Sequence, residues 1–153
     1  MEQLPGTDGL LGHVVRLNVV VDRVLNEIVG ASSISVADYL VLGVIRRSAG
    51  HRSAPTAICD VLGRTTGGMS LTLDRLEAAG LVRRLPDPGD RRRVVVEATE
   101  SGVDLAVRVN GDLHAWEDSL GLTDADRSDL ARALGHLTDA IAGAPEPVRA
   151  SVG

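Results

Sequence analysis

Five consecutive residues, Pro86-Asp87-Pro88-Gly89-Asp90, suit neither a helix nor the interior of a strand. Proline fixes φ and lacks an amide donor, while glycine and aspartate favour turns. Strand-like segments flank this run. Leu81-Val82 opens one, and Arg91 to Glu97, with the β-branched run Val94-Val95-Val96, forms the other. A β-hairpin is therefore expected there, with Arg91, Arg92 and Arg93 at its tip. The rest of the patterned chain has helical spacing. The expected class is mainly α, an α+β fold with one small β element.

The helices follow from apolar spacing. Leu10, Val14, Leu17, Val21, Val24 and Ile28 recur every three or four residues, and Val15, Val19, Val20, Leu25 and Val29 fill the other faces. A helix apolar nearly all round wants burial on several sides, which in a small protein suggests a subunit interface. Ser35 reads as the cap of a second helix that stops at Ala49-Gly50. Pro55 starts a third, which ends at Gly63. A fourth starts at Thr65 or Thr66, turns Met69, Leu73 and Leu76 inward, and closes at Gly80. Thr99 caps a fifth, with a narrow seam of Ala106, Val109, Leu113, Trp116 and Leu120. Thr123 and Asp126 make a capping pair for a sixth, which carries Leu130, Leu134, Leu137 and Ile141. Residues 143–153 are expected to form a flexible tail.

Composition narrows the chemistry. Tyr39 and Trp116 are the two aromatic residues among 153, so the core must be aliphatic. Cys59 stands alone, which excludes an internal disulfide and a multi-cysteine metal site. All 16 basic residues are arginine, which excludes lysine-dependent phosphate loops and Schiff bases. The chain has no apolar stretch of membrane-spanning length and no signal-peptide pattern at Met1-Glu2-Gln3-Leu4, so a cytoplasmic protein without membrane contact is expected. No nucleophile motif, zinc-protease motif or glycine-rich phosphate loop occurs, and Asp124 and Asp126 are explained as helix-start residues. An enzyme is not expected.

The net charge of −5 conceals an uneven distribution. From Arg46 to Arg93 there are ten arginines and five acids, a balance of +5, while the rest of the chain carries −10. A basic middle between acidic flanks can meet phosphates, because salt screens the flanks beyond about 8 Å. It can also be a solvated charged face.

The third and fourth helices form a helix–turn–helix. The second helix of such a pair fits the DNA major groove, with its N-terminal residues at the base edges. Here those are Thr66, Gly67, Ser70 and Leu71, with Thr65 as cap. Hydroxyls can bond to bases or phosphates, and Leu71 can touch a thymine methyl. Arg91, Arg92 and Arg93 can lie along the backbone or enter the minor groove, with Asp90 holding one guanidinium. Arg75 follows Asp74 beyond the first turn, where an ion pair or phosphate contact is favoured over base reading. Strand alternation allows one of Arg83 and Arg84 to face DNA.

The stretch Leu76-Glu77-Ala78-Ala79-Gly80-Leu81-Val82-Arg83-Arg84, then Asp87-Pro88-Gly89-Asp90-Arg91-Arg92-Arg93 and Thr99-x-x-Gly102, resembles the MarR family of bacterial transcriptional regulators. The family's wing signature, Asp-x-Arg, five residues, Leu-Thr, two residues, Gly, reads here as Asp90, Arg92, Ala98-Thr99 and Gly102. Ala98 replaces the usual leucine, and Leu71 and Thr72 stand where relatives often carry arginine or another long polar residue. The resemblance implies a winged helix-turn-helix over 35–98 and dimerisation helices over 1–34 and 99–142. It also implies a homodimer bound to a pseudo-palindromic double-stranded DNA operator, usually as a repressor, with no cofactor. Many members release DNA when a small aromatic or anionic ligand binds. His13, Arg16, Tyr39 and Trp116 are the candidate contacts for such a ligand, since a pocket needs apolar walls and a few polar handles. The alternative is a winged helix that binds another protein.

Two sharper readings yield to plainer ones. Cys59 sits beside Ile58, Val61 and Leu62 and reads as a small buried hydrophobe rather than a redox switch. His13, His51, His114 and His136 lack metal-ligand spacing.

Overall fold

In the computed structural model, residues 9–145 are described. The chain divides into two compact units, Met1–Ala115 and Trp116–Gly153.

The first unit begins with helix α1, Leu10–Gly30. Only Val29 of this helix is buried, and Leu10, Leu11, Val15, Leu17, Val19, Val20 and Val21 face solvent. Helix α2, Val36–Arg47, starts where the sequence predicts, at a capping box. The Ser35 hydroxyl accepts from the Asp38 amide at 3.1 Å, and the Asp38 carboxylate accepts from the Ser35 amide at 3.4 Å. Such boxes satisfy orphan amides at a helix start. A short 3-10 turn, Ala49–His51, then reverses the chain through left-handed backbone at Gly50, φ 64°, and His51, φ 55°.

Helix α3, Pro55–Leu62, has proline at its first turn and ends at Gly63, whose φ of 61° suits a residue without Cβ. Helix α4, Thr66–Ala78, follows the intervening turn. Thr65 stands at its cap position, but its side chain makes no capping bond.

The sheet has three antiparallel strands in the order β1-β3-β2. β2, Val82–Pro86, and β3, Val94–Ala98, are the expected hairpin, with Val82 opposite Ala98 and Leu85 opposite Val95. β1, Arg52–Ser53, pairs with Glu97 and Val96 and carries no sequence pattern of its own. The returning strand begins at Val94 rather than Arg91. Asp90 draws off the amides that would have extended the ladder: its carboxylate accepts from the Arg92 amide at 3.0 Å and its carbonyl from the Arg93 amide at 2.9 Å.

The core of this unit is aliphatic, as the composition requires. Leu42, Ile45, Ile58, Met69, Leu73, Leu76 and Val96 are at most 2% exposed. Helix α5, Glu100–Asp118, adds Leu105, Ala106 and Val109 to the same cluster. The Thr99 hydroxyl caps it, accepting from the Gly102 amide at 3.1 Å and donating to the Gly80 carbonyl at 2.6 Å.

The second unit contains the end of α5 and helix α6, Asp124–Ala142. Thr123 and Asp126 form the expected reciprocal cap, with amide-to-side-chain distances of 2.9 and 3.1 Å. Arg127 ties α6 back to Glu117 and Asp118 at 2.9 and 3.0 Å. Trp116, Leu120, Leu130, Leu134 and Ile141 are exposed. Of the expected tail, residues 146–153 lie outside the described residues, as does the N-terminal segment read for a signal peptide.

Candidate nucleic-acid interface

Helix α4 has two faces with different work. Met69, Leu73 and Leu76 point into the core, as their spacing predicts. Thr72 joins them, 3% exposed, its hydroxyl donating to the Gly68 carbonyl at 3.2 Å. Thr66, Gly67, Ser70 and Leu71 form the exposed face, with Thr65 exposed just before them.

Arg75 is drawn sideways along α4. Its Nη2 donates to Asp38 Oδ1 at 2.7 Å and to the Thr72 hydroxyl at 3.2 Å. Burial alone would raise the Asp38 pKa. Hydrogen bonds from Arg75 and Ser35 outweigh it and hold the carboxyl below its ordinary value. The guanidinium is thus engaged in fastening α4 to α2.

Arg83 and Arg84 point to opposite sides of β2, as alternation requires. Both meet carboxylates. Arg83 Nη2 donates to Glu97 Oε1 at 2.5 Å, and Arg52 Nε donates to the other oxygen of Glu97. Arg84 donates to Glu77 Oε2 at 2.5 Å and to Asp74 Oδ1 at 2.6 Å, and its amide donates to Glu77 Oε1 at 3.0 Å. The Arg84 amide and guanidinium hold the Glu77 carboxyl below its usual range, and the Arg83 and Arg52 guanidiniums do the same for Glu97. These contacts lock the hairpin to α4 on one side and to β1 on the other.

The hairpin tip is built differently. The Asp87 carboxylate accepts from the Gly89 amide at 2.7 Å, and the Asp87 amide donates to the Arg93 carbonyl at 2.9 Å. Arg91, Arg92 and Arg93 are all exposed. Asp90 reaches the Arg93 guanidinium at 3.8 Å, a looser hold than its bond to the Arg92 backbone. Among the described residues, the side chains of Arg91 and Arg92 make no ion pair.

The ligand candidates are distributed as follows. His13 and Arg16 are exposed on α1, where His13 Nδ1 lies 2.9 Å from the Gly9 carbonyl. Tyr39 is buried on α2, which pushes its hydroxyl pKa up. Trp116 is exposed in the second unit. A cleft of about 190 Å³ opens between α3, α4 and the hairpin, lined by Pro55, Cys59, Ser70, Leu73, Arg84 and Val94 among others. Cys59 is buried, as read from its neighbours. No helix among the described residues is long and apolar enough to cross a membrane.

Asp38, Glu97 and Arg52 also hold these elements together. Ser35-x-x-Asp38 carries a visible capping-box signal in the sequence. Glu97 and Arg52 carry none, because they meet across strands 45 positions apart.

A family model described as the MarR family matches residues 32–93. The multiple antibiotic resistance protein MarR of Escherichia coli is 37% identical over 110 residues, covering 69% of this chain and 74% of that protein. The transcriptional regulator PecS of Dickeya dadantii is 33% identical over 101 residues, and the match spans 65% of this chain and 61% of PecS. A crystal structure of an Escherichia coli MarR variant complexed with operator DNA matches with a TM-score of 0.65 at 30% identity, over 85% of this chain and 99% of that one. AbsC of Streptomyces coelicolor shares the fold, with a TM-score of 0.76 at 22% identity over 94% of this chain and 100% of its own.

Proposed function

The chain belongs to the MarR family of transcriptional regulators, and from that premise we propose that it represses transcription as a homodimer seated on a pseudo-palindromic DNA operator. One observation carries the reading. An exposed helix face of Thr66, Gly67 and Ser70 with the apolar Leu71 stands in the same unit as a hairpin tip whose Arg91 and Arg92 side chains have no carboxylate partner among the described residues. Arginines at exposed tips without partners suit phosphates, and a helix of that composition suits a groove.

The dimer part rests on α1 and α6. Each leaves a row of aliphatic side chains in solvent in the single chain, Leu11, Val15 and Val19 on one and Leu130, Leu134 and Ile141 on the other. Apolar rows of that size suit a subunit interface. A two-fold axis would then place two α4 helices in successive major grooves, about 34 Å apart. Release by a small aromatic or anionic ligand belongs to the same reading. Such a ligand must prefer a dimer geometry with a different α4 spacing.

The test is an anisotropy titration against a duplex from upstream of the protein's own gene and against a random duplex, across a salt series. Two subunits per site, preference for the upstream duplex and a steep salt slope are expected. Equal weak binding to both duplexes, with a monomer in sedimentation, overturns the reading and favours a winged helix that binds protein. Phenolic acids should shift the melting temperature and lower DNA affinity together. No shift in either removes the ligand from the proposal.

A further inference from the structure

We propose that Leu71 reads the C5 methyl of a thymine, so that each operator half-site is selected by a methyl group rather than by the acceptors of guanine. The inference rests on the operator-binding reading and names what that site takes. Leu71 is 64% exposed on the outward face of α4. Its neighbours one helical turn back are Gly67 and Gly68. A Cβ on Gly67 would meet nothing within 4 Å, and one on Gly68 would meet only the Thr65 hydroxyl at 3.5 Å. That face is low, so the Leu71 side chain stands out from it and the backbone beside it can approach a base edge closely.

The charged side chains of α4 are committed elsewhere. Its one basic residue, Arg75, is held by Asp38 and Thr72. Asp74 and Glu77 are occupied by Arg84. The commonest guanine reader is a bidentate cation aimed at O6 and N7, and Arg75, the one cation on α4, is already engaged by Asp38. The thymine methyl is the apolar group that a base pair shows in the major groove, and leucine matches it without a hydrogen bond. Ser70, also exposed, supplies a hydroxyl beside it.

The experiment selects duplexes from a random pool with the wild-type protein. Each thymine in the best duplex is then replaced by uracil, which pairs alike and lacks only the methyl. One thymine per half-site should be sensitive, with affinity falling about fourfold for each, the scale of one buried methyl. Leu71→Ala should bind the thymine and uracil duplexes equally, while melting like the wild type. A duplex that tolerates uracil throughout, or a sensitivity that survives in Leu71→Ala, overturns the assignment and leaves operator binding standing. A pool that yields no enriched duplex overturns operator binding and this assignment with it.

Discussion

The guanidinium of Arg75 lies 2.7 Å from the carboxylate of Asp38, and this pair joins the capping box of α2 to the last turn of α4. Asp38 is 7% exposed and also accepts from the Ser35 amide, so one carboxylate serves a helix cap and a helix–helix tie at once. Removing it strands donors on both sides.

Asp38→Ala is expected to cost about 1–3 kcal/mol by urea denaturation at neutral pH, the range for unmaking a buried charged hydrogen bond. The pH dependence has a definite sign. The folded carboxyl titrates below its ordinary value of 3.8, so folding makes it a stronger acid. Its contribution is complete above that value and is lost as pH falls through the lower folded pKa. The stability gap between wild type and Asp38→Asn should therefore close in the acid limb. A gap that persists undiminished through the acid limb would show that charge plays no part.

Gly102→Ala should be the most damaging single-methyl change on α5. A Cβ there would collide with the Leu81 carbonyl oxygen and crowd Leu42 Cδ1 at 3.3 Å. The helix must move off the β2 entry, where Thr99 and Leu81 are also bonded backbone to backbone at 3.0 Å. A loss of about 3 kcal/mol or a failure to fold is expected. Gly111→Ala is the control, since its Cβ would meet nothing within 4 Å. It should stabilise by about 0.5–1 kcal/mol through helix propensity. Equal melting temperatures for the two variants would contradict the packing seen at Leu81.

Arg92→Ala should weaken binding to every duplex alike. The logarithm of affinity against the logarithm of salt should flatten by about 0.9 for each phosphate that a subunit no longer neutralises. Stability should hardly change, because the Arg92 backbone bond to Asp90 survives the substitution. An unaltered salt slope would remove Arg92 from phosphate binding.

Cys59 is 6% exposed on α3, within the core cluster. Its thiol should react slowly with a disulfide reagent in the native protein and quickly in urea. Fast native labelling that also abolished DNA binding would reinstate a redox role. Cys59→Ser should cost about 1–3 kcal/mol by burying a hydroxyl.

Much of the fold is legible locally. The breaker run 86–90 places the hairpin, and Ser35, Pro55, Gly63 and Thr123 mark helix ends. The inward row Met69, Leu73, Leu76 orients α4 without reference to any partner. Pattern alone starts β3 three residues early, because a Val-rich run does not show that Asp90 takes the arginine amides. β1 escapes the pattern altogether, since two residues make no period and their partner lies over forty positions away.

Sequence alone determined where helices and turns fall, because caps, breakers and apolar spacing act within a few residues. It also determined that a basic middle segment exists. Tertiary structure decided which of those arginines remain available. Arg52, Arg75, Arg83 and Arg84 each meet a carboxylate, while Arg91 and Arg92, exposed at the tip, make no ion pair among the described residues. The physical reason is range. An ion pair such as Arg75 with Asp38, 37 positions apart, forms only after packing has brought two helices together, and no local pattern encodes that meeting.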